Sequence, residues 1–377
     1  MIRFLTFLLF PLLAFGGDFR GAWVASVYNI NFPSSPGMSA EAQQAQIIRT
    51  LNVAKACRLN ALMVQVRPES DALYPSELEP WSRFLTGTQG KSPGYDPLAF
   101  FISEGHKRGI EIHAWLNPYR GASNAGQARA GNHIANRFPQ YAYHVGSVLW
   151  MDPGAPAVQD HILNVVRDLL RRYDLAGIHF DDYFYPYPTD SGTVYPFPDE
   201  ATFQAYRAKG GTLTKPDWRR ENVNSLIRRT GQLVHATKMG AKFGVSPFGI
   251  FMPGTPAGTT AGVNQYSQLY GDPVKWLREG WVDYLAPQLY WRDNGPQSFS
   301  ALLRWWRGPE ANPHGVPIWP GIAIERLSEK GWPVSEIAQQ LRIEKATSPR
   351  GRGGFILWNM KPLQSDTKGI DSVVAGS

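Results

Sequence analysis

The chain has 377 residues, 43% hydrophobic and only 18% charged, so it can bury a core large enough for one big domain or two ordinary ones. Its formal net charge of +7 comes without a basic run, which argues against a nucleic-acid binder and suits either plain solubility or an anionic cell-envelope polymer. A single cysteine, Cys57, excludes an internal disulfide and falls in a helical pattern, where it reads as a small buried apolar residue.

The first residues read as an address. Arg3 gives a positive start, Phe4 to Phe15 is nearly all apolar, and Ala14-Phe15-Gly16 places small residues where a signal peptidase needs them. This predicts a secretory signal peptide over 1–16, a mature domain over 17–377, and a periplasmic or extracellular destination. The apolar stretch is short for a membrane span, and no cysteine lies near the cut, so no stable membrane anchor is expected.

Beyond the leader, strand-like and helix-like stretches alternate. Strands are predicted at 19–27, 61–67, 110–116, 176–182, 241–247, 282–290, 316–323 and 353–359. Helices are predicted between them at 39–58, 96–108, 156–173, 217–239, 272–280, 298–306 and 333–347. Several of these open with a cap or proline signal: Ser39, Asp96-Pro97 and Asp272-Pro273. The pattern predicts an α/β fold, a single-domain (β/α)8 TIM barrel, with a weak last helix after residue 360 and frayed final residues. The rival, an open doubly wound sheet, lacks a Gly-rich turn after the first strand. Two connections at the C-terminal ends of the strands, 117–155 and 183–216, are long enough to be functional walls and are rich in Tyr, Pro, Gly and Asn.

Strand side chains alternate between barrel interior and helices. With Ile178 and Phe180 facing the helices, Gly177, His179 and Asp181 face inward, and Asp182 sits at the lip. The same parity turns Gln65, Arg67, His113, Trp115, Asn117, Ser246, Gln288, Tyr290, Trp319, Glu325 and Trp358 inward. Polar inward residues therefore gather at strand ends, where they converge on one mouth. Carboxylates among aromatic rings are the equipment of a glycosidase: ring C–H faces stack on Trp and Tyr, and hydrolysis needs a carboxylic acid of raised pKa. Adjacent Asp181 and Asp182 repel one another when ionised, which raises one of them. No GxSxG elbow occurs, against acyl-transfer chemistry. No HxH or HExxH spacing occurs, so no metal or other cofactor is expected, although His113, His179 and Asp181 leave a metal-dependent hydrolase or deacetylase as an alternative.

The segments FRGAWVASV, NALMVQVRPESDALYPSELEPWSRFLTG, IEIHAWLNPYR, GIHFDDYFYP and VDYLAPQLYW, in this order between Phe19 and Met360, resemble the bacterial glycosyl-hydrolase-like 10 family. That family includes glycosidases acting on peptidoglycan glycan strands already stripped of stem peptides. The resemblance implies the barrel, Asp181 and Asp182 as catalytic centre, and cleft positions at Arg67, Asp71, His113, Asn117, Gln288 and Tyr290. Trp115, Tyr119, His179, Tyr183, Glu325 and Trp358 complete the expected substrate-binding set. The expected partner is thus a glycan polymer, peptidoglycan or a related amino-sugar polysaccharide. Many relatives carry a lipobox cysteine, which this chain lacks. The fourth strand is also similar to that of chitinase-like barrels, but their acid position is Tyr183 here. With no second carboxylate evident on strands five and six, a substrate N-acetyl group could act as nucleophile. A non-catalytic glycan-binding protein on a barrel scaffold is the remaining alternative.

Overall fold

The structure, a computed structural model, describes residues 18–189, 192–349 and 351–377. The expected leader at 1–16 lies outside the described residues. Eight strands form one parallel sheet: β1 (Phe19–Val24), β2 (Ala61–Arg67), β3 (Glu111–Leu116), β4 (Gly177–Phe180), β5 (Lys242–Val245), β6 (Tyr284–Leu285), β7 (Gly321–Ala323) and β8 (Gly354–Trp358). The sheet runs from β7 through β8 and β1 to β6. Bridges pairing Leu285 with Ile318 and Gln288 with Gly321 join its two ends, so the barrel closes. The sixth and seventh strands are shorter than their sequence patterns because Pro287, Pro317 and Pro320 have no N–H to give the ladder.

The helices form where the caps indicate. Ser39, Asp96, Asp272 and Ser298 each accept a backbone N–H of the first turn of the helix that follows. Both long loops carry structure that periodicity did not disclose. The first holds a three-stranded antiparallel sheet of Arg120–Ala122, Ala142–Val145 and Val148–Met151, and the second holds the helix Glu200–Ala208. The expected fraying of the C-terminus is corrected by the structure. Ile370 and Val374 of the helix Ile370–Gly376 are fully buried, and the Arg20 guanidinium donates to the Ser377 carbonyl at 2.9 Å and to that of Val374. A cation there also meets the negative end of the helix.

Alternation sorts the core into two parts. Leu62, Val64, Ile112, Ala114, Ile178, Phe180 and Phe243 face the helices, whereas Trp23, Ala61, Met63, Trp115, Tyr284, Trp319 and Ile356 fill the barrel. Phe19 stacks on Trp319 at 3.7 Å between ring centroids and plugs the end remote from the long loops. Glycines make room for this filling: a Cβ on Gly244 would come within 2.0 Å of the Tyr284 ring. Gly244→Ala is therefore expected to lower the unfolding free energy by about 1–3 kcal/mol, as overpacking of a tight core does. Urea unfolding checks this, and an unchanged midpoint would mean that the interior yields to a methyl group.

Candidate active site

The register of β3 and β4 builds the mouth in layers. His113 lies beside Gly177, Trp115 beside His179, and Asn117 and Asp181 follow one layer higher. Both histidines are fully buried. The Trp23 indole N–H donates to His179 Nε2 at 3.1 Å, so that nitrogen accepts, and Nδ1 keeps the proton that it gives to the Tyr284 hydroxyl oxygen at 3.0 Å. Burial holds His179 well below the usual imidazole range, with His113 adding to the effect. The two rings are a neutral floor beneath the carboxylates. Both nitrogens of His179 are engaged by protein, and among the described residues no three His, Cys, Asp or Glu side chains gather as a metal-ligand set.

Asp181 is the best-held group of the mouth. Its Oδ2 accepts the Trp115 indole N–H at 3.1 Å and the Asn117 amide at 2.6 Å, and Oδ1 faces the Tyr183 N–H at 3.4 Å. Asn117 is fixed in turn by the Gln65 amide at 2.6 Å, and Gln65 by the N–H groups of Ser26 and Val27 at 2.9 Å. One chain of hydrogen bonds thus runs across the first four strands and aims a single carboxyl. Burial, opposed by Arg120 and reinforced by Asp182, pushes Asp181 up to about 7. Asp182, turned toward the Tyr187 hydroxyl that donates to it, is raised by burial to about 6, and its other oxygen is buried without a partner among the described residues.

Asp181 opens onto a cavity of about 270 Å³. Trp23, Trp115 and Trp358 wall one side, the Trp358 ring lying 6.0 Å from each of the others. Tyr183, capped by the Arg120 guanidinium at 4.3 Å, and Tyr290 wall the rest. Gln288, which donates to the Ser246 carbonyl at 3.1 Å, and Glu325 supply polar groups. Over Trp358 the cavity joins a wider depression of about 500 Å³ that reaches Tyr28, Asn29 and Lys361. Tyr28, 64% exposed, is one of the few large apolar side chains left open to solvent. The shape is a groove with a pit, lined by rings and by the ionisable side chains of Asp181, Glu325, Arg326, Glu329 and Lys361.

Of the residues singled out in the sequence, Asp181, Trp115, Tyr183, Ser246, Gln288, Tyr290, Glu325 and Trp358 line this cavity. Asn117 stands behind Asp181, with His113 and His179 in the floor. Arg67 lies elsewhere, because the register shifts between Gln65 and Arg67 and sets Arg67 beside Leu116, a helix-facing residue. There it pairs with Glu79 at 2.6 Å, wholly buried. Asp71 is buried in the loop after β2, raised to about 7 by burial and by Glu69. Tyr119, near the start of the first long loop, is fully buried. Sequence reasoning passed over Trp23, Arg326 and Glu329 as cavity residues; the alternation of β1, which pairs Trp23 with Ala25 on the inner face, was the available signal for the first.

The sequence model of the family described as glycosyl hydrolase-like 10 matches residues 18–333. The chain is 40% identical over 318 residues to glycosyl hydrolase YngK of Bacillus subtilis (strain 168), a match covering 82% of this chain and 61% of that relative. It is 35% identical over 331 residues to glycosyl hydrolase DigH of Escherichia coli (strain K12), covering 82% of this chain and 74% of that one. The chain thus spans only about three fifths of the length of the Bacillus relative. Among solved structures, the catalytic domain of beta-amylase from Paenibacillus polymyxa superposes with a TM-score of 0.61 over 95% of this chain and 97% of that one. At 13% identity that likeness is one of fold.

Proposed function

The chain belongs to the glycosyl hydrolase-like 10 family, and from that premise we propose that it is a glycoside hydrolase cutting an amino-sugar polysaccharide, peptide-free peptidoglycan glycan strands in particular. The observation that carries the reading is Asp181: a buried carboxyl held by Trp115 and Asn117 and presented to a cavity walled by aromatic rings. Sugar rings stack on Trp358, Tyr183 and Tyr290, and Gln288 reads a hydroxyl or an acetamido group. Ionised Asp181 then offers negative charge to the anomeric carbon as the glycosidic bond breaks. Asp182 adds to the field that lifts Asp181 and holds the Tyr187 loop through its hydrogen bond. The apolar leader over Phe4 to Phe15 fits a substrate outside the cytoplasm, and among the described residues no helix is long and apolar enough to cross a membrane.

Peptide-free strands prepared with an amidase, and peptide-bearing sacculi, are the substrates that test this. Mass spectrometry is expected to show new reducing-end fragments from the peptide-free strands, with little or no release from the peptide-bearing ones. Strands that co-sediment with the protein yet stay uncut would replace the hydrolase with a glycan-binding module. Activity lost to a chelator and restored by a divalent ion would favour metal-dependent chemistry.

A further inference from the structure

Glu325 carries a carboxyl that the fold leaves half-used. It follows β7 and precedes the short helix Arg326–Glu329, and its backbone N–H donates to the Trp358 carbonyl at 3.2 Å, tying it to β8. Its Oε1 lies 3.5 Å from Nε of Arg326, a side chain 27% exposed to solvent, whereas Oε2 is buried with no hydrogen-bond partner among the described residues. A polar atom in that state carries its desolvation cost uncompensated unless a ligand completes it. Glu325 lines the same cavity as Asp181, and around the closed barrel β7 stands three strands from β4, so the two carboxyls face the pit from different sides of the mouth.

Resting on the hydrolase reading above, we infer that Glu325 is the proton donor to the leaving-group oxygen and that Asp181 is its ionised counterpart across the cavity. Their surroundings divide the roles. Both oxygens of Asp181 meet N–H groups, which favour the carboxylate. Glu325 faces Arg326 and Glu329 from its own helix, Tyr290 from the segment that follows β6 and Asp181 across the pit, with no hydrogen-bond donor on Oε2 among the described residues. Burial dominates there and pushes Glu325 up to about 8, with its own backbone N–H and then Arg326 opposing and Glu329 reinforcing, so it holds its proton at neutral pH.

In the step, the Glu325 proton passes to the glycosidic oxygen as the bond from that oxygen to the anomeric carbon breaks. The bonding electrons stay on the oxygen, which departs as an alcohol. The anomeric carbon takes electrons from the Asp181 carboxylate or from the acetamido oxygen of the substrate itself. A water molecule then attacks that carbon, and the bond from the carbon to the carboxylate or acetamido oxygen breaks with its electrons returning to that oxygen. The water gives one proton to the Glu325 carboxylate, so one water is consumed per bond cut.

The test compares Glu325→Gln with wild type on two substrates: peptide-free strands and a nitrophenyl glycoside of N-acetylglucosamine, whose leaving group needs no proton. Wild-type cleavage of the strands tests the hydrolase reading by itself. Given that cleavage, Glu325→Gln is expected to lose about 10²- to 10⁴-fold on strands. It is expected to keep first-turnover nitrophenolate release within about tenfold and to lose the alkaline fall of the kcat/KM profile. Equal losses on both substrates, or strand cleavage close to wild type, would overturn the assignment. Glu325→Asp, which keeps a carboxyl, recovers part of the strand activity if proton donation is its role, and recovers none if Glu325 only shapes the groove.

Discussion

Asp181→Asn is expected to fold and to cleave peptide-free strands at least about 10³-fold more slowly than wild type. The amide has nearly the same size, and its oxygen still accepts from Trp115 and Asn117, but it brings no charge to the anomeric carbon. The same variant should be more stable at pH 8. Asp181 is raised from 3.8 to about 7 in the folded protein, so the native state binds the proton more tightly than the unfolded chain does. Stability from this group is present at low pH and drains away as pH rises through that interval. Asn escapes the loss. The gain is expected to be about 1–3 kcal/mol at pH 8 and to shrink toward pH 4, read as thermal or urea unfolding of both proteins across pH. A variant retaining a tenth or more of wild-type activity would move the chemistry to another carboxyl, Asp182 first.

The stability gain and the activity loss have one origin. Asp181, Asp182 and Glu325 are each raised, with burial the largest cause. Holding such groups at a mouth destabilises the fold at neutral pH, and the return is a proton donor and a carboxylate that differ in protonation. With Asp181 near 7 and Glu325 near 8, the productive form is most populated between those values.

How much of this was legible in the sequence depended on whether the backbone stayed regular. In β4 it does: Ile178 and Phe180 pack outward, and His179 and Asp181 turn inward as the two-residue period requires. Helix starts were legible because Ser39, Asp96 and Asp272 satisfy first-turn N–H groups locally. Arg67 was not, since one irregular residue between Gln65 and Arg67 exchanges the two faces of a strand, and nothing in alternation marks it. The small sheet in the first long loop escaped because its strands are three or four residues long. The docked C-terminus escaped because Arg20, far off in sequence, supplies the contact. Glu325 was legible as an inward residue, but its unpartnered oxygen appears only once its neighbours are in place.

Arg67 explains the second large effect expected, from Glu79→Ala. The buried guanidinium gives three charged hydrogen bonds to Glu79, at 2.6, 2.8 and 3.0 Å, and also donates to the carbonyls of Asn117 and Pro118 and to Ser70. Burial pushes Glu79 up, yet Arg67 and then His161 outweigh it and hold the carboxyl at about 2. Removing Glu79 strands a positive charge with no counterion at bonding distance among the described residues, which is expected to cost about 3–5 kcal/mol in urea unfolding at pH 7. Because the folded value lies below the ordinary 4.5, the deficit is fully present above that pH and fades as pH falls toward 2. A loss under about 1 kcal/mol would show that water or rearrangement reaches Arg67. Replacing both partners, Arg67→Met with Glu79→Met, removes the stranded charge and should recover much of the stability, since apolar packing often matches a buried pair. It should not recover turnover. Arg67 also grips the backbone carbonyl of Asn117, the residue whose amide aims Asp181, and no methionine donates to that oxygen. A double variant that is stable but slow would assign the pair to positioning the carboxyl, whereas one that is stable and fully active would assign it to the fold alone.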